Sequence, residues 1–203
     1  FGLPYKLNLE SGRLEREFYD LSRHLHPDIN AIKSDREQEW ALEQSSHLND
    51  AYRTLKDPIT RTEYLLRLHG VQLEEQSKAA TEEARRTGKL KKQVVPPDLL
   101  EEVFELNMQL EEMRMNKKMG EHDRTLEREL EDAKKQLQAK HDGMMQELHA
   151  AWNEWDVLVD RAEQGGNVID DDRLAVRDKM LDVLNRRNYL RNLLRDIDEV
   201  LES

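Results

Sequence analysis

The apolar residues of this chain recur at helical spacing. Between about Ser11 and Leu25 they fall at i, i+4, i+7 and i+11, on one helix face: Leu14, Phe18, Leu21 and Leu25. A second helix is predicted over about Asp35 to Leu55, with these buried positions: Ala41, Ser45, Leu48, Tyr52 and Leu55. The first helix must end before Pro27, because the residue preceding a proline disfavours helical backbone. The short loop between the two helices predicts an antiparallel hairpin.

The rest of the chain also predicts helices. Asp57-Pro58 supplies a cap and a first residue for a short helix that ends at Gly70. Residues 74–95 carry many charges and no apolar stripe, which predicts a linker or an exposed helix. After Pro96-Pro97-Asp98 three more helices are predicted, with turns at Gly120 and at Gly165-Gly166-Asn167, and the last one starts at three acids, Asp170 to Asp172. No segment alternates for long between apolar and polar residues, so we expect almost no β-strand.

Composition narrows the class of protein. Charged and hydrophobic residues each make up 37% of the 203 residues and aromatic residues 5%, which favours long, thin helical packing. A net charge of −11 argues against a nucleic-acid-binding protein. The absence of cysteine excludes disulfides and thiolate metal sites. No apolar run approaches the roughly 18 residues of a membrane span. No signal peptide is visible, and because the chain begins at Phe1 rather than methionine we expect it to be trimmed at its start.

A His-Pro-Asp tripeptide, His26-Pro27-Asp28, ends the first helix. Alone it is a weak signal, since an ordinary loop with a proline stop has the same form. Its context is more specific, because the preceding helix places Arg13, Arg16 and Arg23 opposite its apolar face. Asp20 lies on the same basic face and dilutes it.

The chain resembles the J domain and, more narrowly, the HscB-type J-domain co-chaperones of iron–sulfur cluster assembly. The strings that carry the resemblance are FGLP, LEREFYDLSRHLHPD, LNDAYRTLKDPITRTEYLLRLHG and, from Leu99, LLEEVFELNMQLEE. It covers nearly the whole chain and implies an all-α fold, in which an N-terminal J domain joins a C-terminal three-helix bundle with a long arm. The implied boundaries are a J domain at 1–72, a linker at 73–96 and a bundle at 97–203 that binds a scaffold or forms oligomers.

The resemblance also implies partners. His26, Pro27 and Asp28, with the basic face of Arg13, Arg16 and Arg23, would dock on a DnaK/HscA-type chaperone and stimulate its ATPase. The bundle would hold an IscU-like iron–sulfur scaffold protein and deliver it to the chaperone. The positions that match the family's scaffold-binding patch are Leu100, Phe104, Glu105, Met108, Glu112 and Tyr189. Glu101 and Met108 depart from the family pattern by exchanging apolar and acidic character.

Two apolar stripes on the helix after Leu99 support a second binding surface. One stripe comprises Leu99, Val103, Leu106, Leu110 and Met113, and the other, about 140° away, comprises Leu100, Phe104, Met108, Met115 and Met119. One stripe packs the bundle, and the second needs a bundle helix, the J domain or another protein. Core packing is an equally open alternative for Phe104 and Tyr189. The stretch between Ala150 and Asp172 is longer than in familiar members, and its Trp152 and Trp155 are core anchors or an added contact.

Other classes of function remain as alternatives. One is a general J-domain co-chaperone for protein folding, and another is a structural coiled-coil protein, which the charged stretch from Glu121 to Lys140 favours. We expect no enzyme, because no nucleophile, base and orienting group cluster in a recognisable spacing. His24, His26 and His47 lack the spacing of a metal site, so we expect no metal and no cofactor. We expect a cytoplasmic protein without nucleic-acid or membrane partners.

Overall fold

The structure, a computed structural model, describes residues 1–25, 34–71, 96–166 and 169–202. These ranges hold six α-helices and no β-strand, so the predicted all-α class is confirmed. A single 3-10 turn, Pro97–Leu99, leads into the fourth helix. The helices are α1 (Ser11–Leu25), α2 (Asp35–Lys56), α3 (Pro58–Leu68), α4 (Leu100–Met119), α5 (Arg124–Glu163) and α6 (Asp170–Glu202).

The chain divides into two compact units, each built from two separate stretches. The first unit comprises Phe1–Leu73 and Ala151–Asp178, and the second comprises Glu74–Ala150 and Lys179–Ser203. The predicted linker at 73–96 lies almost wholly outside the described residues, so the domain boundaries stay a prediction. Within the described ranges no helix combines the length and the apolar character that crossing a membrane requires.

In the first unit, α1 and α2 form the predicted hairpin. The rings of Phe18 and Tyr52 stack with centroids 4.2 Å apart, and Lys56 Nζ lies 3.7 Å from a Glu15 carboxylate oxygen. Phe18 follows Glu15 in α1, whereas its partner Tyr52 precedes Lys56 in α2, so the two helices are antiparallel. At the start of α2, the carboxylate of Glu37 accepts from the backbone N–H and the hydroxyl of Ser34, at 3.0 and 2.7 Å.

The short helix α3 begins and ends as its sequence predicts. The carboxylate of Asp57 accepts from the Thr60 N–H at 2.8 Å, and Pro58 occupies the first helical position. The chain leaves the helix through Gly70, whose φ of 77° lies in the left-handed region. Leu65 and Leu66 bury the inner face of α3.

The C-terminal end of α5 completes the core of the first unit. Trp152 and Trp155 are almost fully buried. The Trp152 indole N–H donates to the Thr62 hydroxyl at 3.0 Å, and the Trp155 indole N–H donates to the Tyr5 carbonyl at 3.1 Å. Both tryptophans are therefore core anchors, which decides between the two roles that the sequence left open.

A buried carboxylate on α5 holds the N-terminal segment, residues 1–10. One oxygen of Asp156 accepts from the Leu7 N–H at 2.7 Å, and the other accepts from the backbone and side-chain nitrogens of Asn8, at 3.0 and 2.9 Å. An ion pair between Lys6 and Asp160 lies beside it. The segment has no regular structure, so the carboxylate supplies the partner that the buried Leu7 N–H would otherwise lack.

The second unit contains the predicted three-helix packing. Its centre is formed by five fully buried residues: Leu130, Leu148, Met180, Leu190 and Ile197. Gly120, with φ 74°, ends α4 in the left-handed region at the predicted turn. Lys117 Nζ then donates to the Val200 carbonyl at 2.6 Å, which ties the end of α4 to the end of α6.

Candidate functional site

Three exposed arginines occupy the outer face of α1. Arg13, Arg16 and Arg23 are all exposed, as the helical pattern predicts. They span about 15 Å along the helix, at 1.5 Å per residue. Arg16 lies 3.6 Å from a Glu10 carboxylate oxygen, and the exposed Asp20 shares the surface. The face can attract an acidic partner surface at long range, with a strength that salt lowers.

The tripeptide His26-Pro27-Asp28 lies outside the described residues, so its predicted chaperone contact stays a prediction. The structure describes its two flanks. Helix α1 ends at Leu25, and α2 begins after its N-cap residue, Ser34. The tripeptide is therefore part of the connection between two antiparallel helices.

The apolar side of the hairpin is only partly covered. Leu14 is buried, whereas Leu21, on the same face of α1, remains 38% exposed. Helix α2 packs against α1, and one helix covers only a narrow strip of another. Trp40 and Leu42 of α2 are also exposed. Both lie off the stripe that contains Ala41, so their exposure agrees with the periodicity although no motif singled them out.

Helix α4 presents the second stripe to solvent. Val103, Leu106, Leu110 and Met113 are buried, while the exposed apolar residues of the helix are Leu100, Phe104, Met108, Met115 and Met119. Leu100, Phe104 and Met108 follow one another at four-residue spacing, with exposed fractions from 59% to 69%. Side chains at this spacing are neighbours on a helix surface. The three residues thus form one continuous apolar surface.

Acidic residues border this surface. Glu105 and Glu112 are exposed and lie three residues before and four residues after Met108. On a wheel of 100° per residue they fall on one side of the methionine, about 40–60° away. We call the set Leu100, Phe104, Glu105, Met108 and Glu112 the α4 patch. The structure brings these five predicted residues onto one accessible face, which offers apolar contact with a carboxylate border.

Tyr189, the sixth predicted residue, differs from these five in its burial. It is on α6 and is only 8% exposed, and burial raises the pKa of its phenol. Helix α6 buries an unusually broad face, which includes Met180, Leu184 and Leu193. Tyr189 therefore contributes to the core, and its predicted role in scaffold binding stays a prediction. Phe104 and Tyr189 posed the same ambiguity in the sequence, and the structure gives them opposite environments.

The fold and its surfaces agree with one class of protein, the J-type co-chaperones. An antiparallel helical hairpin with a basic outer face and His-Pro-Asp in its connection, followed by a three-helix unit, is the architecture that the resemblance to J-type co-chaperones implied.

Comparison with known proteins points to one group within that class. The chain is 44% identical over 73 residues to a co-chaperone protein HscB homolog of Vibrio cholerae, and 47% identical over 70 residues to that of Vibrio atlanticus. The aligned residues make up 36% and 34% of this chain, and 43% and 41% of the relatives. The chain thus spans less than half the length of the curated relatives that it matches. No family model matches it.

Two solved structures share the fold over nearly the whole chain. Chaperone HscB from Vibrio cholerae superposes with a TM-score of 0.52 and 23% identity, covering 99% of this chain and 94% of that one. Human co-chaperone HscB has the same TM-score and 21% identity, covering 98% of this chain and 78% of the human chain. The predicted resemblance to HscB-type co-chaperones is confirmed. At this level of identity the solved structures speak for the fold alone.

Proposed function

We propose that this protein is a co-chaperone that stimulates the ATPase of a DnaK/HscA-type chaperone and delivers an IscU-like iron–sulfur scaffold to it. Such delivery would aid cluster transfer and the maturation of iron–sulfur proteins. The observation that carries the proposal is His26-Pro27-Asp28 in the connection of an antiparallel hairpin, within a chain similar to HscB co-chaperones. Holding both partners on one chain raises the effective concentration of the scaffold near the chaperone.

The chaperone-binding half of the proposal rests on three chemical roles. Pro27 restricts its own backbone and stiffens the connection. Asp28 supplies a carboxylate that accepts charge-assisted hydrogen bonds from the partner. Arg13, Arg16 and Arg23 accelerate encounter with an acidic surface of the chaperone.

Single-turnover ATP hydrolysis by a purified HscA-type chaperone tests this half. The unmodified chain is expected to accelerate hydrolysis, and His26→Gln is expected to abolish the acceleration. His24→Gln is a matched control, since His24 lies two residues away on α1, where its ring nitrogen contacts the Asp20 carbonyl at 2.6 Å. Full stimulation by His26→Gln, or equal loss in both variants, would refute the assigned role.

The scaffold-binding half rests on the α4 patch. Its apolar residues are accessible without rearrangement of the core, and the adjoining acids suit a partner with basic residues around an apolar contact. Phe104, at 69% exposed, is the aromatic residue in it. Aromatic side chains are frequent anchors in protein interfaces, so Phe104 is expected to contribute more than its neighbours.

Calorimetry with a purified IscU-like scaffold tests the patch. Phe104→Ala is expected to weaken binding to the scaffold more than about tenfold, which is the loss typical of an interface anchor. Leu174→Ala serves as the control, because Leu174 is an exposed leucine on α6, outside the patch. Unchanged affinity in Phe104→Ala would move the scaffold site elsewhere. Binding of denatured proteins with indifference to the scaffold would favour the general folding co-chaperone.

The coiled-coil alternative has less support. Helix α5, which is described in full, buries one apolar stripe within the chain: Leu126, Leu130, Leu137, Met144 and Leu148. Val157 is its only large apolar residue that is exposed. An oligomer formed through α5 would need a second apolar seam, and this helix does not offer one.

A further inference from the structure

The seven methionines of the chain differ sharply in their exposure. Met108, Met115 and Met119 are 61%, 59% and 61% exposed. Met113, Met144 and Met180 are buried, and Met145 is half-buried. All three exposed methionines belong to α4, so solvent-accessible thioether groups are concentrated on one helix.

The three exposed methionines also share one face of that helix. They stand at i, i+7 and i+11, which places them within about 40° of one another at 100° per residue. The row runs about 16 Å along the helix from Met108 to Met119, at 1.5 Å per residue, and so continues beyond the α4 patch toward the end of the helix. Met113 lies between them in sequence but points into the core. Beyond Met108 the exposed apolar side chains of α4 are therefore all methionines.

We propose that this face is a methionine oxidation site, at which hydrogen peroxide converts Met108, Met115 and Met119 to sulfoxides and thereby weakens scaffold binding. The second clause rests on the proposed function, whereas the first depends only on the exposure of the sulfur atoms.

The chemistry requires no further reactant. A sulfur lone pair attacks one peroxide oxygen, an S–O bond forms, and the O–O bond breaks. The second peroxide oxygen leaves with both hydrogens as water, so sulfur loses two electrons and peroxide gains them. Susceptibility to this oxidation increases with exposure, so burial protects Met113, Met144 and Met180.

The product changes the character of the face. A sulfoxide is polar and chiral, and it accepts hydrogen bonds strongly. Burying it in an apolar interface costs free energy unless the partner offers a donor. The thioethers themselves are flexible and adapt well to a partner surface, and oxidation removes that advantage. Methionine sulfoxide reductases reverse the change, one enzyme for each sulfoxide epimer, so the effect is reversible.

Peptide mass spectrometry of the full chain after brief peroxide treatment tests the site. Met108, Met115 and Met119 are expected to oxidise at least about tenfold faster than the buried Met113, since accessibility controls the rate. Calorimetry with the scaffold is expected to show affinity falling by about tenfold or more after treatment, in line with the loss of an interface anchor. Affinity is expected to return after incubation with both reductases and a dithiol, which supplies two electrons and two protons for each sulfoxide, so that its oxygen leaves as water.

A variant separates these sites from the other methionines. In this variant Met108, Met115 and Met119 are all changed to Leu. Its affinity for the scaffold is expected to be the same before and after peroxide treatment. Met145→Leu is the control and is expected to keep the peroxide sensitivity of the unmodified chain, because Met145 lies on α5.

Each half of the proposal has its own contrary result. Equal oxidation rates at Met113 and Met115 would overturn the oxidation site. Selective oxidation with unchanged affinity for a scaffold that binds well would overturn the effect on binding. If the untreated chain does not bind the scaffold at all, the proposed function fails, while the oxidation map still decides the first half.

Discussion

Replacing Asp156 by alanine tests how the N-terminal segment is held to α5. Asp156 is 9% exposed, and its carboxylate accepts three hydrogen bonds, one from Leu7 and two from Asn8. In Asp156→Ala the Leu7 N–H loses its acceptor at a residue that is 1% exposed. A buried donor left without a partner costs about 1–3 kcal/mol. The two Asn8 donors are less buried and can turn to water, so the expected total loss is about 2–4 kcal/mol.

Two further variants make this prediction graded. Asp156→Asn keeps one acceptor oxygen for the Leu7 N–H but presents an amide nitrogen to the donors of Asn8, so an intermediate loss is expected. Asp160→Ala removes the neighbouring ion pair with Lys6 and is expected to cost much less, because exposed ion pairs contribute little to stability.

Tryptophan fluorescence during urea unfolding is a suitable assay for this series. Trp152 and Trp155 are buried in the first unit, and Trp40→Phe as a common background removes the exposed third tryptophan. The midpoint is expected to fall in the order Asp160→Ala, Asp156→Asn, Asp156→Ala. If Asp156→Ala is no less stable than Asp160→Ala, the carboxylate does not hold the segment as described.

Two other predictions concern the first unit. Thr62→Val removes the acceptor of the Trp152 indole N–H and is expected to lower the free energy of unfolding by about 1–3 kcal/mol. The control Thr54→Val, at an exposed hydroxyl, is expected to change it little. Equal urea midpoints for the two variants would contradict this prediction. Burial, and then nearby arginines, lower the pKa of His69 below its ordinary 6.5. Stability linked to its neutral ring is therefore fully present above about pH 6.5 and declines as the pH falls toward the lower folded-state pKa. An NMR titration is expected to give a midpoint below 6.5 that rises in Arg177→Gln, and a midpoint at or above 6.5 in the unmodified chain would refute the environment described.

Local pattern predicted the helices well because their signals lie within a few residues. Helix α1 occupies the predicted range, and Gly120 takes the left-handed conformation expected of a helix end. Asp57 and Pro58 cap α3 as their order implies. Such features depend on backbone chemistry at the position itself, which the sequence states directly.

Burial of the off-stripe residues could not be predicted in the same way. Phe104 and Tyr189 both lie outside the main apolar stripe of their helices, yet one is exposed and the other buried. The difference depends on how many elements pack around α4 and α6, which periodicity does not encode. Periodicity predicted the second apolar stripe of α4, whereas Glu105, Glu112 and Tyr189 were chosen as scaffold-binding residues only through the family resemblance.

Contacts between distant parts of the chain were the least predictable. Nothing near Leu7 indicates that its backbone N–H is bound by a carboxylate 149 residues later. The sequence left Trp152 and Trp155 as core anchors or an added contact, and nothing in it indicated their partners Thr62 and Tyr5. Such pairings follow from the assembled fold and from no local rule.

The long separation between Asp156 and Leu7 has a consequence for synthesis on the ribosome. Helices α1 to α3 are complete by Leu73, but the α5 residues that finish their unit begin at Ala151, about 80 residues later. At 5–20 residues per second, the nascent hairpin waits about 4–16 s for them. Throughout that interval Thr62 has no indole partner and Leu7 has no carboxylate. The N-terminal part of this chain thus stays incompletely folded during synthesis until about 80 further residues have been translated.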